Sequence, residues 1–284
     1  MTRSLSARAY PRARKRFGQH FLEPAWAEKV ARAIAPAAGQ AFLEIGPGRG
    51  AITGRLARAV EHVLAYEIDR DLACTLRRTA QPNVHVVEGD FLDATADAIR
   101  RDLAALRPPP ESVRAAGNLP YNVASPILFK LVDLVEGGLP IADATVMLQR
   151  EVALRLVAAP GTREYGVLTI LIGHCARAEV LLHLPAGAFR PVPKVLSTVV
   201  RLTFHEREPP VHSPRVFVAL TQAIFTRRRK TLRNALLAYD SASPASLAAA
   251  LEAAGIDPQR RPETLEIGEL ARLADRLTER TGPV

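Results

Sequence analysis

Hydrophobic positions follow mixed helical and strand periods up to about residue 206, and beyond it a helical period alone. A short apolar run at 41–45 predicts a buried strand that leads directly into the glycine turn 46–50 and a helix from Ala51. Upstream, Pro24 suits the first turn of a helix that carries Trp26, Val30 and Ile34 on one face. The pattern repeats downstream: a strand at 62–67, a helix from Arg70, then a strand at 84–88 that ends in Gly89-Asp90. Further strands are expected near 112–116 and at 144–148. Alternation of this kind predicts an α/β domain, Rossmann-like, with a parallel sheet covered by helices on both faces. The alternating segment 195–204 predicts a late strand that closes the sheet as an antiparallel edge.

The Glu206-Arg207-Glu208-Pro209-Pro210 stretch has the composition of a linker. Past it, Phe217, Leu220 and Ile224 share one helical face, Leu247 and Leu251 another, and Leu270, Leu273 and Leu277 a third. The expected organisation is a flexible basic arm over 1–16, an α/β domain over 17–206 and a small C-terminal all-helical domain over 207–284.

Composition changes this picture in one respect. Hydrophobic residues at 48% and charged residues at 24% are ordinary for a globular chain, but the net charge of +9 is not. The surplus gathers at Arg12, Arg14, Lys15 and Arg16 and again at Arg227, Arg228, Arg229 and Lys230. Clustering points to an anionic partner, nucleic acid being the commonest, although an Arg-rich, Lys-poor composition also follows from genomic base content. The acid-free first sixteen residues fit an arm touching RNA phosphates, or a transit peptide. No apolar run approaches the roughly 20 residues a spanning helix needs, so no membrane role is expected. Cys74 and Cys175 have no metal-ligand spacing and read as small core residues in a reducing, cytoplasmic setting, with no metal.

Candidate chemistry begins at Glu44-Ile45-Gly46-Pro47-Gly48-Arg49-Gly50. Strand, glycine turn and helix would suit a dinucleotide, but those sites want G-x-G-x-x-G. Here the turn is G-x-G-x-G behind an acid, the form seen in class I S-adenosylmethionine methyltransferases. Glu67 ends the next strand, where a carboxylate can accept both ribose hydroxyls, and Asp90 follows the third, where it can receive the adenine amine. The alternative is that these acids merely cap the helices that follow, as Asp69 or Asp71 could.

Asn118-Leu119-Pro120-Tyr121 follows the fourth strand. Adenine's amine is a poor nucleophile because its lone pair is delocalised into the ring. The Asn118 side-chain oxygen and a backbone carbonyl flanking Pro120 can accept both amine hydrogens and favour a pyramidal nitrogen. Pro120 fixes the local backbone, and Tyr121 can stack on an extruded base. Read blandly, the tetrapeptide is a loop of common turn formers.

With these residues assembled, the chain resembles the ribosomal RNA adenine dimethyltransferases, most closely the bacterial KsgA (RsmA) type. The resemblance runs from Arg14 to about Leu277. It rests on the segments 15–22, 44–48, 118–121, 147–151, 189–194 and 225–234. It implies S-adenosyl-L-methionine as cofactor and dimethylation of two adjacent adenines in the 3′-terminal hairpin of 16S rRNA, within an immature small ribosomal subunit. Cofactor contacts are implied at His20, Leu22, Gly46, Glu67, Asp90 and Asn118. Phe189 is implied as the second aromatic opposite Tyr121. Arg227, Arg228, Arg229 and Lys230 follow an apolar helical face and cannot all be buried, so several of them, with Arg233, are expected to contact RNA phosphates. His20 departs from the family, which usually carries Asn there. Other readings are a large-subunit adenine methyltransferase of the antibiotic-resistance type, a DNA adenine methylase, and a non-catalytic rRNA-binding assembly factor. A monomer is expected.

Overall fold

The computed structural model describes Arg14 and residues 17–281. The expected basic arm, Arg14 apart, lies outside the described residues. The chain folds into two compact units. One runs up to Ala153 and includes Glu179–Thr203; the other comprises Leu154–Ala178 and the chain from Phe204 onward. Residues 154–178, expected in the α/β domain, therefore pack with the helical unit.

The first unit is built on strands β1 (Phe21–Leu22), β2 (Ala41–Ile45), β3 (His62–Glu67), β4 (Val84–Glu88), β5 (Val113–Asn118), β6 (Ile141–Gln149), β7 (Ala176–Leu184), β8 (Phe189–Arg190) and β9 (Ser197–Phe204). The main sheet runs β4-β3-β2-β5-β6-β9-β7, with β4 to β6 mutually parallel and β9 antiparallel to β6. β9 is thus not the edge strand expected of it, because β7 lies beyond it. Its first four residues are all buried, as a strand covered on both sides requires. β1 and β8 form a separate antiparallel pair, with Leu22 opposite Phe189.

From β2 the chain builds outward through β3 and β4, then returns to place β5 and β6 on the other side of β2. That reversal opens a crevice at the carboxyl ends of the central strands, where ligands of open α/β sheets bind. Gly117 permits the tight β2–β5 pairing, because a Cβ there would lie 2.5 Å from the Ile45 carbonyl oxygen.

Helices α1 (Pro24–Ile34), α2 (Thr53–Leu56), α3 (Arg70–Thr79), α4 (Ala96–Ala104) and α5 (Ala124–Glu136) follow the strands. α1 buries Ala27, Val30, Ala31 and Ile34, with Trp26 half-buried at the border of the core. Its terminal carbonyls would otherwise lack donors. Arg114 donates to those of Ile34 and Ala35 at 2.9 and 3.0 Å, and Arg201 to that of Ala33 at 2.8 Å. Of the two cysteines only Cys175 is buried; Cys74 sits on the exposed face of α3 and is not the core residue expected.

After α6 (Arg150–Leu156), the second unit contains α7 (Val167–Gly173), α8 (Pro214–Thr226), α9 (Leu232–Leu236), α10 (Pro244–Ala253) and α11 (Ile267–Thr281). Phe217, Leu220 and Ile224 of α8, Leu247 and Leu251 of α10, and Leu270, Leu273 and Leu277 of α11 meet in one core. Tyr165 enters it with its hydroxyl donating to the Leu265 carbonyl at 2.7 Å. Ser213 and Ser243 cap α8 and α10, each followed by Pro in the first turn.

Candidate active site

A cavity of about 290 Å³ opens at the carboxyl ends of β2, β3 and β5. Gly46 and Gly48 from the turn after β2, Glu67 from β3, Asn118 from the end of β5, Tyr121 after it, and His20 before β1 line it. Gly48 holds φ +58°, and a Cβ there would press 3.3 Å from the Phe21 ring, so both its conformation and its space call for glycine. The Glu67 carboxylate accepts the Gly48 N–H at 2.9 Å through one oxygen and the Asp69 N–H at 2.8 Å through the other. Burial raises its pKa, and these donors oppose the rise. Each oxygen keeps a lone pair for a further donor.

Glu44 also lines the cavity, although the sequence marks it only as the acid that precedes the glycine turn. Its side chain is wholly buried, and burial pushes its pKa up to about 8, with Glu67 adding to the rise and Thr53 opposing it. Among the described residues, one of its carboxyl oxygens finds no hydrogen-bond partner. The signal is present in the sequence: a single acid inside an otherwise apolar buried strand is costly and calls for a partner. Ile68, 42% exposed beside Glu67, adds an apolar wall that no motif signals.

Asp90 does not line this cavity; its carboxylate accepts the Leu92 N–H at 2.9 Å and shapes the loop after β4. Asp69, by contrast, is fully buried. It caps α3 and receives Gln19 at 3.1 Å and Arg14 at 3.2 Å, so the segment before β1 is tied to α3 beside the cavity. Leu22 is buried and lines the cavity floor.

The Asn118-to-Tyr121 turn is held at every residue. Asn118 donates its side-chain N–H to the His20 carbonyl at 2.8 Å, which identifies the other end of the carboxamide as the free acceptor oxygen. Leu119 is buried, and its N–H reaches the Met147 carbonyl at 3.1 Å. Pro120 gives its carbonyl to the Val123 N–H at 3.1 Å, which leaves the Leu119 carbonyl as the acceptor flanking Pro120. Tyr121 shares a hydrogen bond of 2.7 Å with Ser197, and burial raises its pKa. Its ring stacks on that of His20, centroids 5.5 Å apart and planes inclined by 23°. Phe189, expected opposite Tyr121, is 0% exposed and packed in the core with Leu22 and Ala188.

In the second unit, Arg227, Arg229, Lys230 and Arg233 are exposed. Arg228 is committed internally, donating to the Arg163 and Thr162 carbonyls at 2.6 and 2.8 Å with Glu263 nearby at 3.8 Å.

Comparison with known proteins agrees with this geometry. Residues 11–279 match the family described as ribosomal RNA adenine dimethylase. The chain is 43% identical over 274 residues to "Ribosomal RNA small subunit methyltransferase A" of Anaeromyxobacter sp. (strain K), covering 95% of each chain. It is 40% identical to the protein of the same name from Pseudomonas aeruginosa, covering 95% of this chain and 97% of that one. Among solved structures, a dimethyladenosine transferase from Plasmodium falciparum aligns with a TM-score of 0.72 at 23% identity, over 89% of this chain and 96% of that one, a likeness of fold. The 23S rRNA methyltransferase ErmE aligns with a TM-score of 0.63 at 28% identity, over 90% of this chain and 99% of that one. The fold is that of the class I methyltransferases. A glycine turn, a strand-end acid and an Asn-Leu-Pro-Tyr turn share one cavity, and the likeness to these relatives runs nearly end to end, so the chain belongs to the ribosomal RNA adenine dimethylase family.

Proposed function

We propose that the protein uses S-adenosyl-L-methionine to dimethylate the N6 amines of two adjacent adenines in the 3′-terminal hairpin of 16S rRNA. On this reading it acts as a cytoplasmic monomer on an immature small subunit, and the exposed basic residues of its helical unit meet RNA phosphates. The observation that carries the proposal is the Asn118 carboxamide, whose nitrogen is spent on the His20 carbonyl so that its oxygen is the end left for substrate.

The cavity fits the cofactor. An unpartnered, buried Glu44 oxygen suits a cationic ligand, the Glu67 oxygens can each take a ribose hydroxyl, and the Gly46–Gly48 backbone admits a close approach. When bound, the cofactor supplies an electrophilic methyl group on a sulfonium. The chain's own residues prepare the amine. The Asn118 oxygen and the Leu119 carbonyl accept its two hydrogens, drawing the lone pair out of conjugation, while the Tyr121 ring holds the base plane. No strong base is needed, since the amine proton becomes acidic as the new bond forms. Alignment and proximity then carry most of the acceleration.

The large-subunit alternative is not favoured: the relatives named for the small subunit are 40–43% identical, against 28% for ErmE. Radiolabelled methyl transfer to undermethylated small subunits, large subunits and naked rRNA, with mapping of the modified bases, tests the proposal. Label confined to large subunits would overturn it.

A further inference from the structure

The loop 191–196, between β8 and β9, is tied at both ends to residues of the cavity. At its start, Arg190 pairs with Phe21 across the β1–β8 ladder, and the Pro191 carbonyl receives the His20 ring N–H at 2.7 Å. At its end, the Leu196 carbonyl accepts the Arg150 N–H at 2.9 Å, and Ser197 shares its 2.7 Å bond with the Tyr121 hydroxyl. Arg190, His20 and Tyr121 all line the cavity, so the loop stands at its rim. Its surface is not that of a polar turn. Val192, Val195 and Leu196 are 56%, 39% and 44% exposed, with exposed Lys194 among them. Seven large hydrophobic residues are exposed among the described residues, and three of them fall in these six positions. Scattered singly they would need no explanation; gathered beside a binding site, they mark a contact surface.

We infer that this loop is an RNA contact separate from the basic residues of the helical unit: Val192, Val195 and Leu196 cover the face of the nucleotide adjoining the target adenine, and Lys194 meets its phosphate. The inference rests on the adenine-methylating reading above. Methylation inside a cavity requires the adenine to leave its stack, which leaves its neighbour with a bare face. Aliphatic side chains are the wedge that fills such a gap between bases. The loop is built for that task. Pro191 and Pro193 each fix a φ angle, and Pro193 is buried, so the aliphatic face is held out before RNA arrives and little freedom is lost on contact. A cation within an aliphatic patch also matches a ligand that is apolar on its faces and anionic at its edge. A nucleotide has that character and a purely apolar protein surface does not.

Polarity can be changed at nearly constant shape with the triple variant Val192→Thr, Val195→Thr, Leu196→Asn, and charge alone with Lys194→Gln. Affinity for undermethylated small subunits and kcat/KM on them should fall about tenfold in the triple variant, the order expected for losing one aliphatic side chain's worth of buried contact. Its slope of log affinity against log salt should match wild type, because no charge is removed, whereas Lys194→Gln should lower that slope by roughly 0.7–0.9. Cofactor affinity by calorimetry should stay within about threefold of wild type in both. A photoreactive benzophenone amino acid at position 192 should cross-link to nucleotides adjoining the methylated adenines. A triple variant that binds and turns over as wild type would overturn the inference, and so would cross-linking to a ribosomal protein instead of RNA. A cofactor affinity lowered tenfold in the triple variant would mean that the loop only shapes the cavity. Wild-type protein that dimerises in sedimentation, beside a monomeric triple variant, would make the patch a self-contact. Transfer by the wild type to no small subunit would instead sink the functional reading, and this inference with it.

Discussion

At Asn118 a single carboxamide divides two tasks between its ends, the nitrogen anchoring the turn to His20 and the oxygen facing substrate. Asn118→Ala should lower methyl transfer by about 10²-fold or more, the cost of losing one preorganised polar group at a reacting centre. RNA affinity in a filter-binding assay should be nearly unchanged. Wild-type turnover in that variant would remove the amine-orienting role. Glu44 offers a second test at this scale. With its pKa pushed up to about 8, it is protonated at neutral pH in the free protein, and seating a cation against it should expel that proton. Calorimetry of cofactor binding at pH 7 in buffers of different ionisation enthalpy should therefore report proton release, absent in Glu44→Gln. The same shift bears on stability. The folded form holds this proton above the ordinary carboxylate range and the unfolded chain does not, so the contribution of Glu44 falls as pH rises from 4.5 to about 8 and then levels off.

At the scale of elements, the turn between α8 and α9 mixes two kinds of arginine. Arg228 ties that turn to the Thr162 and Arg163 carbonyls, so Arg228→Ala should cost stability, about 1–3 kcal/mol by thermal or denaturant unfolding. Replacing exposed Arg229, Lys230 or Arg233 should leave stability within about 0.5 kcal/mol. Each true phosphate contact among them should lower the slope of log affinity against log salt by roughly 0.7–0.9. An unchanged slope in the triple variant would mark them as a solvated face. Arg228 shows what a sequence run conceals, since four adjacent cations look alike until one of them finds carbonyls. The strands at 41–45, 62–67 and 84–88 were legible to the residue because turn formers bound short apolar runs. β7 was not: its alternation is blurred by the Val180-Leu181-Leu182 run, and its loss made β9 look like an edge. In the site, Gly46, Glu67, Asn118 and Tyr121 were legible because motif spacing places them at strand ends. The burial of Phe189 and the course of the loop at Asp90 were not legible, because both depend on packing, which periodicity does not encode.

At the scale of the whole molecule, the chain passes from one unit to the other after Ala153, after Ala178 and again after Thr203. Neither unit is a continuous stretch of sequence. A fragment ending at residue 206 keeps 154–178 but lacks the helices whose core holds Tyr165 and Ile170. Such a fragment should bind a hydrophobic dye and be cut by protease within 154–178, whereas the full chain resists at those sites. Equal resistance in both would show that this segment finds its structure without the later helices. The same interleaving imposes an order in time on the ribosome. Tyr165 is polymerised a hundred residues before Leu265, the carbonyl that accepts its hydroxyl. At translation rates of about 5–20 residues per second, that interval is roughly 5–20 s. For that long the Tyr165 hydroxyl lacks the carbonyl that receives it and the core around its ring is incomplete, which makes the segment a natural landing point for a chaperone during synthesis.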